Sequence, residues 1–175
     1  MVVHLIRHAK PAIAGVLLGQ LDPPLEPGDI PPSSIAAATV FTSPLQRARQ
    51  TAVKMFPRHS AIVLPDLAEI GMGEWEGKSW REIETTWPEL ATAKLAGWTT
   101  VTPPGGETWK KLEARAGRAW KTICQAEPPV AVVAHVGING LLYFAATGAP
   151  AAEFTQDYCE VITLDGVPHH PNRKR

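Results

Sequence analysis

Five short apolar runs, separated by longer helix-compatible stretches, constrain the fold of this sequence more than any other feature. Each run has the length and composition of a buried strand, and the five are Val2–Ile6, Thr39–Thr42, Ala61–Leu64, Val130–Ala134 and, more weakly, Glu160–Leu164. Helices are predicted between them, over Leu45–Phe56, Trp80–Leu95 with a break at Trp87-Pro88, Glu107–Ala126 and Ile138–Thr147. Strands that alternate with helices favour an α/β fold with a mostly parallel sheet.

The length of the chain bounds the number of domains. Its 175 residues suggest one domain, because domains contain on the order of 150 residues, and we assign that domain to residues 1–167. Leu21–Ser34 contains five prolines and is predicted to be a loop, since proline lacks an N–H and fixes its own φ angle. Residues 168–175 are mostly polar, basic and terminal, so we predict a disordered tail, with metal or nucleic-acid binding as the alternative.

Charge and cysteine content exclude several classes of function. Seventeen Lys and Arg residues balance 17 Asp and Glu residues, so the totals show no basic footprint for nucleic acid. Two cysteines without CxxC spacing indicate neither a disulfide framework nor a structural zinc site, which favours a reducing, cytoplasmic location. No apolar run approaches the roughly 20 residues of a membrane span, and Arg7 ends the first run too early for a signal peptide. We predict a soluble protein without nucleic-acid or membrane partners and leave its oligomeric state open.

Two histidines directly follow predicted strands. His8, preceded by Arg7, comes after the first strand, and His135 comes after the strand Val130–Ala134. Ligands of α/β proteins bind beyond the carboxyl ends of strands, so both positions are candidates for chemistry. From the residues alone, a surface turn is the favoured interpretation of Arg7 and His8, and His135 could equally be a hydrogen-bonded core residue.

A third candidate is the segment Ser43–Ala52, with the sequence SPLQRARQTA, which follows the second predicted strand. Ser43 is predicted to cap a helix whose first residue is Pro44, so that Arg47 lies in the first turn. An arginine there opposes the helix dipole unless a bound anion uses both positive charges. The pattern therefore indicates an anion site, with a solvated Arg47 as the alternative.

The loop Leu67–Gly77 carries three acidic residues among glycines and a tryptophan. A carboxylate that is partly removed from water in such a loop has a raised pKa and suits a proton donor. Composition does not choose among Glu69, Glu74 and Glu76. No His-x-x-x-His or Asp-x-Asp spacing accompanies the three acids, so we predict no metal site.

In this order along the chain, these motifs resemble those of the histidine phosphatase superfamily, whose fold is the phosphoglycerate-mutase-like α/β sandwich. The resemblance spans residues 2 to about 164. The segments 19–25 and 103–108 are similar to the small bacterial branch that contains α-ribazole phosphatases. The resemblance implies a three-layer sandwich in which helices flank a mostly parallel central sheet.

The resemblance also implies a role for each candidate. His8 matches the nucleophile that becomes phosphorylated, and Arg7 and Arg47 match the two arginines that bind phosphate. His135 matches the second histidine, which binds phosphate and takes part in catalysis, and Glu69 matches the proton donor. The other two acids of the loop are then structural or surface residues.

The substrate-facing rim is where this chain departs from the family. Ala9-Lys10-Pro11 replaces the glycine, acid and Ser or Thr that usually follow the nucleophile, and its effect on the rim is left open. The candidates for substrate contact are Lys10, Gln20, Trp98 and Glu107. Trp98 offers a flat apolar surface for a ring or a sugar, although it could equally be a core residue.

Together the residues predict phosphoryl transfer, which needs positioning, charge neutralisation and a proton for the leaving group. Two arginines supply positive charge in place of magnesium, and their repulsion of a further cation favours a neutral His8 ring. We predict a phosphomonoester phosphatase that uses neither metal nor cofactor, forms a phosphohistidine and hydrolyses a small phosphorylated metabolite, with α-ribazole phosphate the first candidate. Phosphoglycerate-mutase-type transfer, a protein phosphatase and a non-catalytic phosphate-sensing module are the alternatives.

Overall fold

A mixed five-stranded sheet forms the centre of the computed structural model, which describes residues 1–170. The strands are β1 (Val3–Arg7), β2 (Thr39–Thr42), β3 (Ile62–Val63), β4 (Val130–Ala134) and β5 (Val161–Leu164). Their order across the sheet is β3-β2-β4-β1-β5, with β5 antiparallel to β1 and the other pairs parallel. The predicted α/β fold with a mostly parallel sheet is confirmed.

Within residues 1–170, the sheet is accompanied by helices α1 (Gln46–Met55), α2 (Trp80–Thr86), α3 (Pro88–Ala96), α4 (Trp109–Gln125) and α5 (Val136–Thr147). Short 3₁₀ turns lie at Pro65–Leu67, Gly73–Trp75 and Ala151–Glu153. The predicted break at Trp87-Pro88 is confirmed, since Trp87 ends α2 and directly precedes α3. No helix in this part of the chain is both long and apolar enough to cross a bilayer.

The two faces of the sheet carry separate apolar clusters, because alternate residues of a strand point to opposite faces. The face that includes Leu5 and Val132 packs against helices α2 to α5. The face that includes Ile6 and Val133 packs against α1. Helices therefore cover both faces, which gives the three layers expected from the family resemblance.

Two strands differ from their predictions. The strand predicted over Ala61–Leu64 forms, but only Ile62 and Val63 pair with β2, at the outer edge of the sheet, so the prediction of a buried strand is wrong. Their side chains are 50% and 44% exposed. Arg7 pairs with Ala134 of β4 and is therefore the last residue of a strand, not part of a surface turn.

The predicted start of α1 is also wrong. The helix begins at Gln46, its N-cap is Leu45, and no side chain at the N-cap makes a capping hydrogen bond. The side chain of Asp22 accepts a hydrogen bond from the Gln46 N–H, which satisfies one of the donors at the start of the helix. Ser43, predicted as the cap, instead places its Oγ 2.7 Å from Nε2 of His135. Arg47 remains in the first turn, as predicted.

The remaining segments follow the sequence pattern with shifted ends. α4 begins two residues later than predicted, with Thr108 as its N-cap, and this leaves Glu107 outside the helix. α5 begins directly after His135 and ends at Gly148, whose φ of 77° is the left-handed conformation that favours glycine. Leu21–Ser34 contains no helix or strand, as predicted. Of the predicted tail, 168–170 form neither, and 171–175 lie outside the described residues.

Candidate active site

A cavity of about 330 Å³ lies beyond the carboxyl ends of β1 and β4. Because these parallel strands pair Arg7 with Ala134, the residues that follow them, His8 and His135, are neighbours. The centroids of the two rings are 4.9 Å apart. The structure therefore places the two histidines side by side; His8 lines the cavity, whereas His135 is buried next to it and is not among the lining residues.

His8 is buried, and its ring is held in one tautomer. Its Nδ1 lies 2.7 Å from the backbone oxygen of Ala9, so Nδ1 donates and Nε2 keeps its lone pair. Nε2 accepts a hydrogen bond from Nε of Arg47 at 3.3 Å. Burial lowers the pKa of His8 to about 3, with Arg47 and Arg7 adding to the decrease and the Ala9 carbonyl opposing it. The sequence analysis assigned the neutral ring to the arginines, whereas burial is the larger cause.

Arg47 is buried beside His8, and backbone oxygens accept hydrogen bonds from its guanidinium group. Besides the bond to His8, its Nη1 donates to the Leu21 oxygen (2.6 Å) and its Nη2 to the Gly19 oxygen (2.9 Å). Each terminal nitrogen keeps a further N–H for a ligand. Gly19 has a φ of +50°, and a Cβ there would lie 2.5 Å from Oε1 of Glu76, so the turn requires glycine. The alternative of a solvated Arg47 is wrong.

Arg7 ends β1 with its guanidinium held from two directions. Its Nη1 donates to the backbone oxygen of Gln156 at 2.7 Å, and its Cζ lies 4.1 Å from the centre of the Tyr158 ring, a cation–π contact. Its Nε is buried without a hydrogen-bond partner among residues 1–170. Buried polar groups are normally paired, so this N–H marks a position for an acceptor such as a phosphate oxygen.

His135 is also buried, and only one of its ring nitrogens has a partner. Nε2 lies 2.7 Å from Oγ of Ser43, and Nδ1 has no partner within the described part of the chain. Burial, followed by the charges of His8 and the arginines, holds the pKa of His135 well below its ordinary value. The ring is therefore neutral near pH 7 in the unliganded protein.

Glu69 reaches the cavity from the loop between β3 and α2. Its carboxylate accepts the N–H of Ile70 at 2.9 Å and the N–H of Gly137 at 3.1 Å. A Cβ at Gly137 would lie 2.4 Å from Oε1 of Glu69, so only glycine permits this approach. Burial raises the pKa of Glu69, and the two backbone hydrogen bonds and nearby arginines oppose the rise. A raised pKa keeps a larger fraction of the carboxyl protonated, as a proton donor requires.

Three side chains support the loop that presents Glu69. Arg115 of α4 donates to the backbone oxygen of Glu69 at 2.9 Å and pairs with Glu107 at 2.8 Å. Glu107 also accepts the N–H of Gly71 at 3.2 Å, and Nε2 of Gln20 donates to the Glu69 backbone oxygen at 3.1 Å. Gln20 and Glu107, which the sequence suggested as substrate contacts, therefore contact this loop and do not line the cavity.

The two other acids of the loop differ from Glu69. Oε1 of Glu76 accepts the N–H of Gln20 at 2.9 Å and that of Met72 at 3.0 Å, so this carboxylate joins two loops. Glu74 is exposed to solvent. Neither lines the cavity, whereas Glu69 does.

Of the four predicted rim residues, Trp98 alone lines the cavity. Its side chain is 39% exposed, which excludes the alternative of a core residue. Behind it, Nζ of the buried Lys94 lies 4.7 Å from the ring centre and donates to the backbone oxygen of Val101 at 2.6 Å. Lys10 is exposed and pairs with Glu26 at 2.8 Å, away from the cavity lining.

The cavity also contains residues that the sequence analysis missed. Leu17, Trp109, Phe154 and Tyr158 line it together with Trp98. Leu17 lies between β1 and β2, Trp109 is the first residue of α4, and Phe154 and Tyr158 lie between α5 and β5; none belongs to a motif. The nearest signal was the predicted rim segment 103–108, which directly precedes Trp109.

Metal-ligating residues do not cluster in the described part of the chain. Among residues 1–170, no group of three His, Cys, Asp or Glu side chains lies close enough together to hold a metal ion. The positive charges that line the cavity in this range are the guanidinium groups of Arg7 and Arg47.

Known proteins resemble this chain in sequence. The model of the histidine phosphatase superfamily (branch 1) matches residues 3–174. A bifunctional protein of Mycobacterium tuberculosis is 38% identical over 103 residues, which cover 57% of this chain and 28% of that protein. A metal-independent phosphoserine phosphatase of Arabidopsis thaliana is 30% identical over 119 residues (65% and 50% covered). An adenosylcobalamin/α-ribazole phosphatase of Salmonella typhimurium is 29% identical over 123 residues (65% and 58%).

This chain thus spans between 28% and 58% of the length of these curated relatives. Among solved structures, the α-ribazole phosphatase of Shigella flexneri superposes with a TM-score of 0.81 at 23% identity, covering 94% of this chain and 90% of that one. At that identity the likeness establishes the fold. Because the family model covers all but the first two residues and the last residue, the protein belongs to branch 1 of the histidine phosphatase superfamily.

Proposed function

We propose that this protein is a metal-independent phosphomonoester phosphatase that acts through a phosphohistidine at His8. One observation carries the proposal: Nε2 of a buried, neutral His8 keeps its lone pair, which accepts a hydrogen bond from Arg47, and Arg7 and Glu69 line the same cavity. A nucleophile, charge neutralisation and a proton donor are the three requirements of phosphoryl transfer from an ester.

The first step transfers the phosphoryl group to the protein. Nε2 of His8 forms a bond to phosphorus while the bond from phosphorus to the ester oxygen breaks. The electron pair of the broken bond leaves on that oxygen, which takes a proton from Glu69. Because burial raises the pKa of Glu69, its carboxyl can hold that proton until the bond breaks.

The second step returns His8 to its starting state. The Glu69 carboxylate, now without its proton, takes one from a water molecule. The water oxygen bonds to phosphorus, the bond between phosphorus and Nε2 breaks, and inorganic phosphate leaves. One carboxyl thus acts as an acid in the first step and as a base in the second.

Two arginines stabilise the charge on the phosphoryl group in both steps. The unpaired Nε of Arg7 and the remaining N–H groups of Arg47 can donate to its oxygens. This positive charge supports the metal-independent proposal, because it performs the electrostatic work that magnesium performs in other phosphoryl-transfer enzymes.

The lining beyond the phosphate site supports a small substrate with an uncharged, ring-bearing leaving group. Trp98, Trp109 and Phe154 offer apolar and aromatic surface there. Within residues 1–170, this part of the lining contains no Lys or Arg that would pair with a carboxylate on the substrate. We therefore propose a nucleoside-like monophosphate such as α-ribazole phosphate, followed by other sugar phosphates and, last, by acid phosphates, whose carboxylate has no partner in this lining.

A cytoplasmic location and a single domain over residues 1–167 complete the proposal. Cys124 and Cys159 are both free thiols, which agrees with a reducing compartment. The strands nearest the two ends of the described chain, β1 and β5, pair with each other, which agrees with one folding unit.

The test is a comparison of kcat/KM across α-ribazole phosphate, nucleoside monophosphates, phosphoserine, 3-phosphoglycerate and a phosphopeptide, with and without a chelator. We expect turnover that survives the chelator, is inhibited by vanadate and is highest for the ring-bearing substrates. Rapid acid quench should fail to recover a phosphoryl label, and alkaline quench should recover it, since phosphohistidine is acid-labile. A hundredfold preference for the phosphopeptide would overturn the substrate class, and phosphate binding without turnover of any ester would overturn catalysis.

A further inference from the structure

Ser43 lies against His135 in a buried position that its predicted role as a helix cap does not explain. It directly follows β2, and its N–H donates to the backbone oxygen of Val133 at 3.0 Å. Its side chain is fully enclosed, with Oγ 2.7 Å from Nε2 of His135. Oγ also accepts the N–H of Leu45 at 3.2 Å. The backbone therefore holds the hydroxyl against one nitrogen of the histidine.

The hydrogen bonds of this hydroxyl determine which ring nitrogen of His135 carries the proton. Because Oγ accepts from Leu45, its own proton needs an acceptor, and Nε2 of His135 is the one that the described residues supply. Nε2 must then hold a lone pair, so the neutral ring carries its proton on Nδ1. The opposite tautomer would leave both the buried Ser43 hydroxyl proton and the Nδ1 lone pair without partners, which is unfavourable.

The Nδ1–H group of this tautomer has no partner of its own within residues 1–170. The His135 ring stands 4.9 Å from that of His8, centroid to centroid, and Nε of Arg7 is a second buried donor without a partner. The two unpaired donors therefore belong to neighbours of the proposed nucleophile, Arg7 in sequence and His135 in space. A phosphoryl group on Nε2 of His8 would offer oxygens to both.

We propose that Ser43 is a positioning residue that holds neutral His135 as the Nδ1–H tautomer, so that Nδ1–H donates to an oxygen of the phosphoryl group transferred to and from His8. This inference rests on the proposed function of the site. It gives His135 a donor role that does not require a second proton on the ring. Ser43 acts through His135 and does not itself touch the substrate.

The tautomer can be read directly from long-range ¹H–¹⁵N correlation spectra of the imidazole nitrogens, with a His135→Asn variant to assign the signals. In the wild-type protein we expect the pattern of an Nδ1–H tautomer for His135. Addition of vanadate, the probe for the phosphoryl group, should shift the Nδ1–H resonance and slow its exchange with water. An Nε2–H tautomer in the wild type, or an Nδ1–H signal that vanadate leaves unchanged, would overturn the proposal.

Two substitutions separate positioning from general packing. Ser43→Ala removes the hydroxyl, and we expect His135 to shift toward the Nε2–H form or a mixture. The matched control is Thr42→Val in the preceding residue, since Thr42 is equally buried and its hydroxyl donates to the Ser43 carbonyl at 3.3 Å, not to His135. The control should keep the wild-type tautomer. Retention of the Nδ1–H form in Ser43→Ala would contradict the assignment.

Kinetics provide the second measurement. We expect Ser43→Ala to lower kcat roughly 10- to 100-fold with little change in KM, the usual scale for loss of a group that orients a functional side chain. Ser43→Thr, which keeps a hydroxyl, should recover most of the rate. If the alanine variant fails to fold, the tautomer of wild-type His135 and its response to vanadate still test the proposal. A loss of kcat without a change of tautomer would reject positioning. The spectra do not depend on turnover. Absence of phosphatase activity would therefore contradict the proposed function but would leave the tautomer of His135 to be decided by the spectra.

Discussion

The two ends of the cavity differ in how the chain builds them. The proposed phosphate end consists of Arg7, His8 and Arg47, which line the cavity, and of the adjacent His135; they lie in strands, directly after strands or in the first turn of a helix. Three of these four side chains are buried, and all four make hydrogen bonds. The proposed leaving-group end consists of Leu17, Trp98, Trp109 and Phe154, which are apolar or aromatic; three of them lie in connections between elements, and Trp109 is the first residue of α4.

In the proposed function, this difference assigns the chemical step to one end of the cavity and the choice of leaving group to the other. Strand ends hold polar atoms in fixed positions because the sheet and its backbone hydrogen bonds fix them, which suits charge stabilisation at a developing transition state. Connecting segments present apolar surface whose shape depends on loop conformation, which suits recognition of one leaving group among several. Substitutions at the phosphate end should therefore act on kcat, and substitutions at the leaving-group end should act mainly on KM.

The largest expected effect is that of His8→Ala at the phosphate end. Loss of Nε2 removes the covalent route, so turnover should be abolished while the protein stays folded. Alkaline-quench experiments with a labelled ester should show phosphohistidine in the wild type and none in the variant. His59→Ala, at an exposed histidine, is the control and should turn over normally. Phosphate release by His8→Ala at the wild-type rate would refute the assignment of the nucleophile.

Glu69→Gln should produce the next largest effect, because it removes the proton donor and leaves the phosphate end intact. We expect a loss of roughly 10²- to 10⁴-fold in kcat with alkyl phosphates, and a much smaller loss with a nitrophenyl phosphate, whose leaving group needs no proton. Glu74→Gln, at an exposed acid of the same loop, should keep wild-type rates. Equal losses with both kinds of substrate would show that Glu69 does not donate the proton.

Trp98→Ala tests the leaving-group end. Loss of one aromatic contact should raise KM for a ring-bearing phosphate by about 3- to 10-fold and change kcat little, as for about 0.5–1.5 kcal/mol of aromatic contact. Inhibition by vanadate should be unchanged, because vanadate occupies the phosphate end alone. Leu95→Ala removes a 66% exposed apolar side chain of α3 that does not line the cavity and is the matched control. A weakened response to vanadate would show that the two ends are not separable.

The smallest expected effect is a change in the pH dependence of stability. Because burial lowers the pKa of His8 from 6.5 to about 3, the unfolded chain binds a proton between those values that the folded chain does not. The free energy of unfolding therefore decreases as pH falls through this range. Burial also lowers the pKa of His135, so His135 changes the free energy of unfolding in the same direction as His8. Burial raises the pKa of Glu69, so the stability that Glu69 contributes is lost as pH rises.

Urea unfolding of the wild type and of His8→Asn, compared at several pH values, isolates the His8 contribution. The variant should show a slope smaller by about 1.4 kcal/mol per pH unit in the middle of the range, the value for one proton. Trp98→Ala removes no titratable group and should keep the wild-type slope. Parallel curves for the wild type and His8→Asn would mean that His8 is protonated alike in the folded and unfolded chains.

Local sequence was sufficient to predict the strand ends that carry His8 and His135, whereas the roles of these residues come from the family resemblance and stay predictions. The apolar runs predict β1 and β4. Because these strands pair in parallel with Arg7 opposite Ala134, the residues that follow them, His8 and His135, are neighbours. The helix after β2 brought Arg47 to the same edge of the sheet even though its first residue was misassigned. These predictions depend on strand and helix periodicity, which short stretches of sequence carry by themselves.

The leaving-group end was not predictable in the same way. Gln20 and Glu107 were suggested as substrate contacts, but their partners are the Glu69 loop and Arg115, and no periodicity signals either contact. Lys10 was suggested because it follows the nucleophile, and it pairs with Glu26 instead. Side-chain partners between connecting segments depend on how those segments pack, which is a property of the whole chain.

The sequence by itself determined the α/β class, the strand ends that carry His8 and His135, and the position of Arg47 in the first turn of a helix. Strands and helices each require a characteristic spacing of apolar residues, and that spacing can be recognised in short stretches of sequence. Only the tertiary structure decided that burial is the main cause of the neutral His8 ring, that Ser43 contacts His135 instead of capping a helix, and that Trp98 lines the cavity. Burial and hydrogen-bond partners are set by residues tens of positions away in the chain. They exist only once the sheet and both helical layers have assembled around the site.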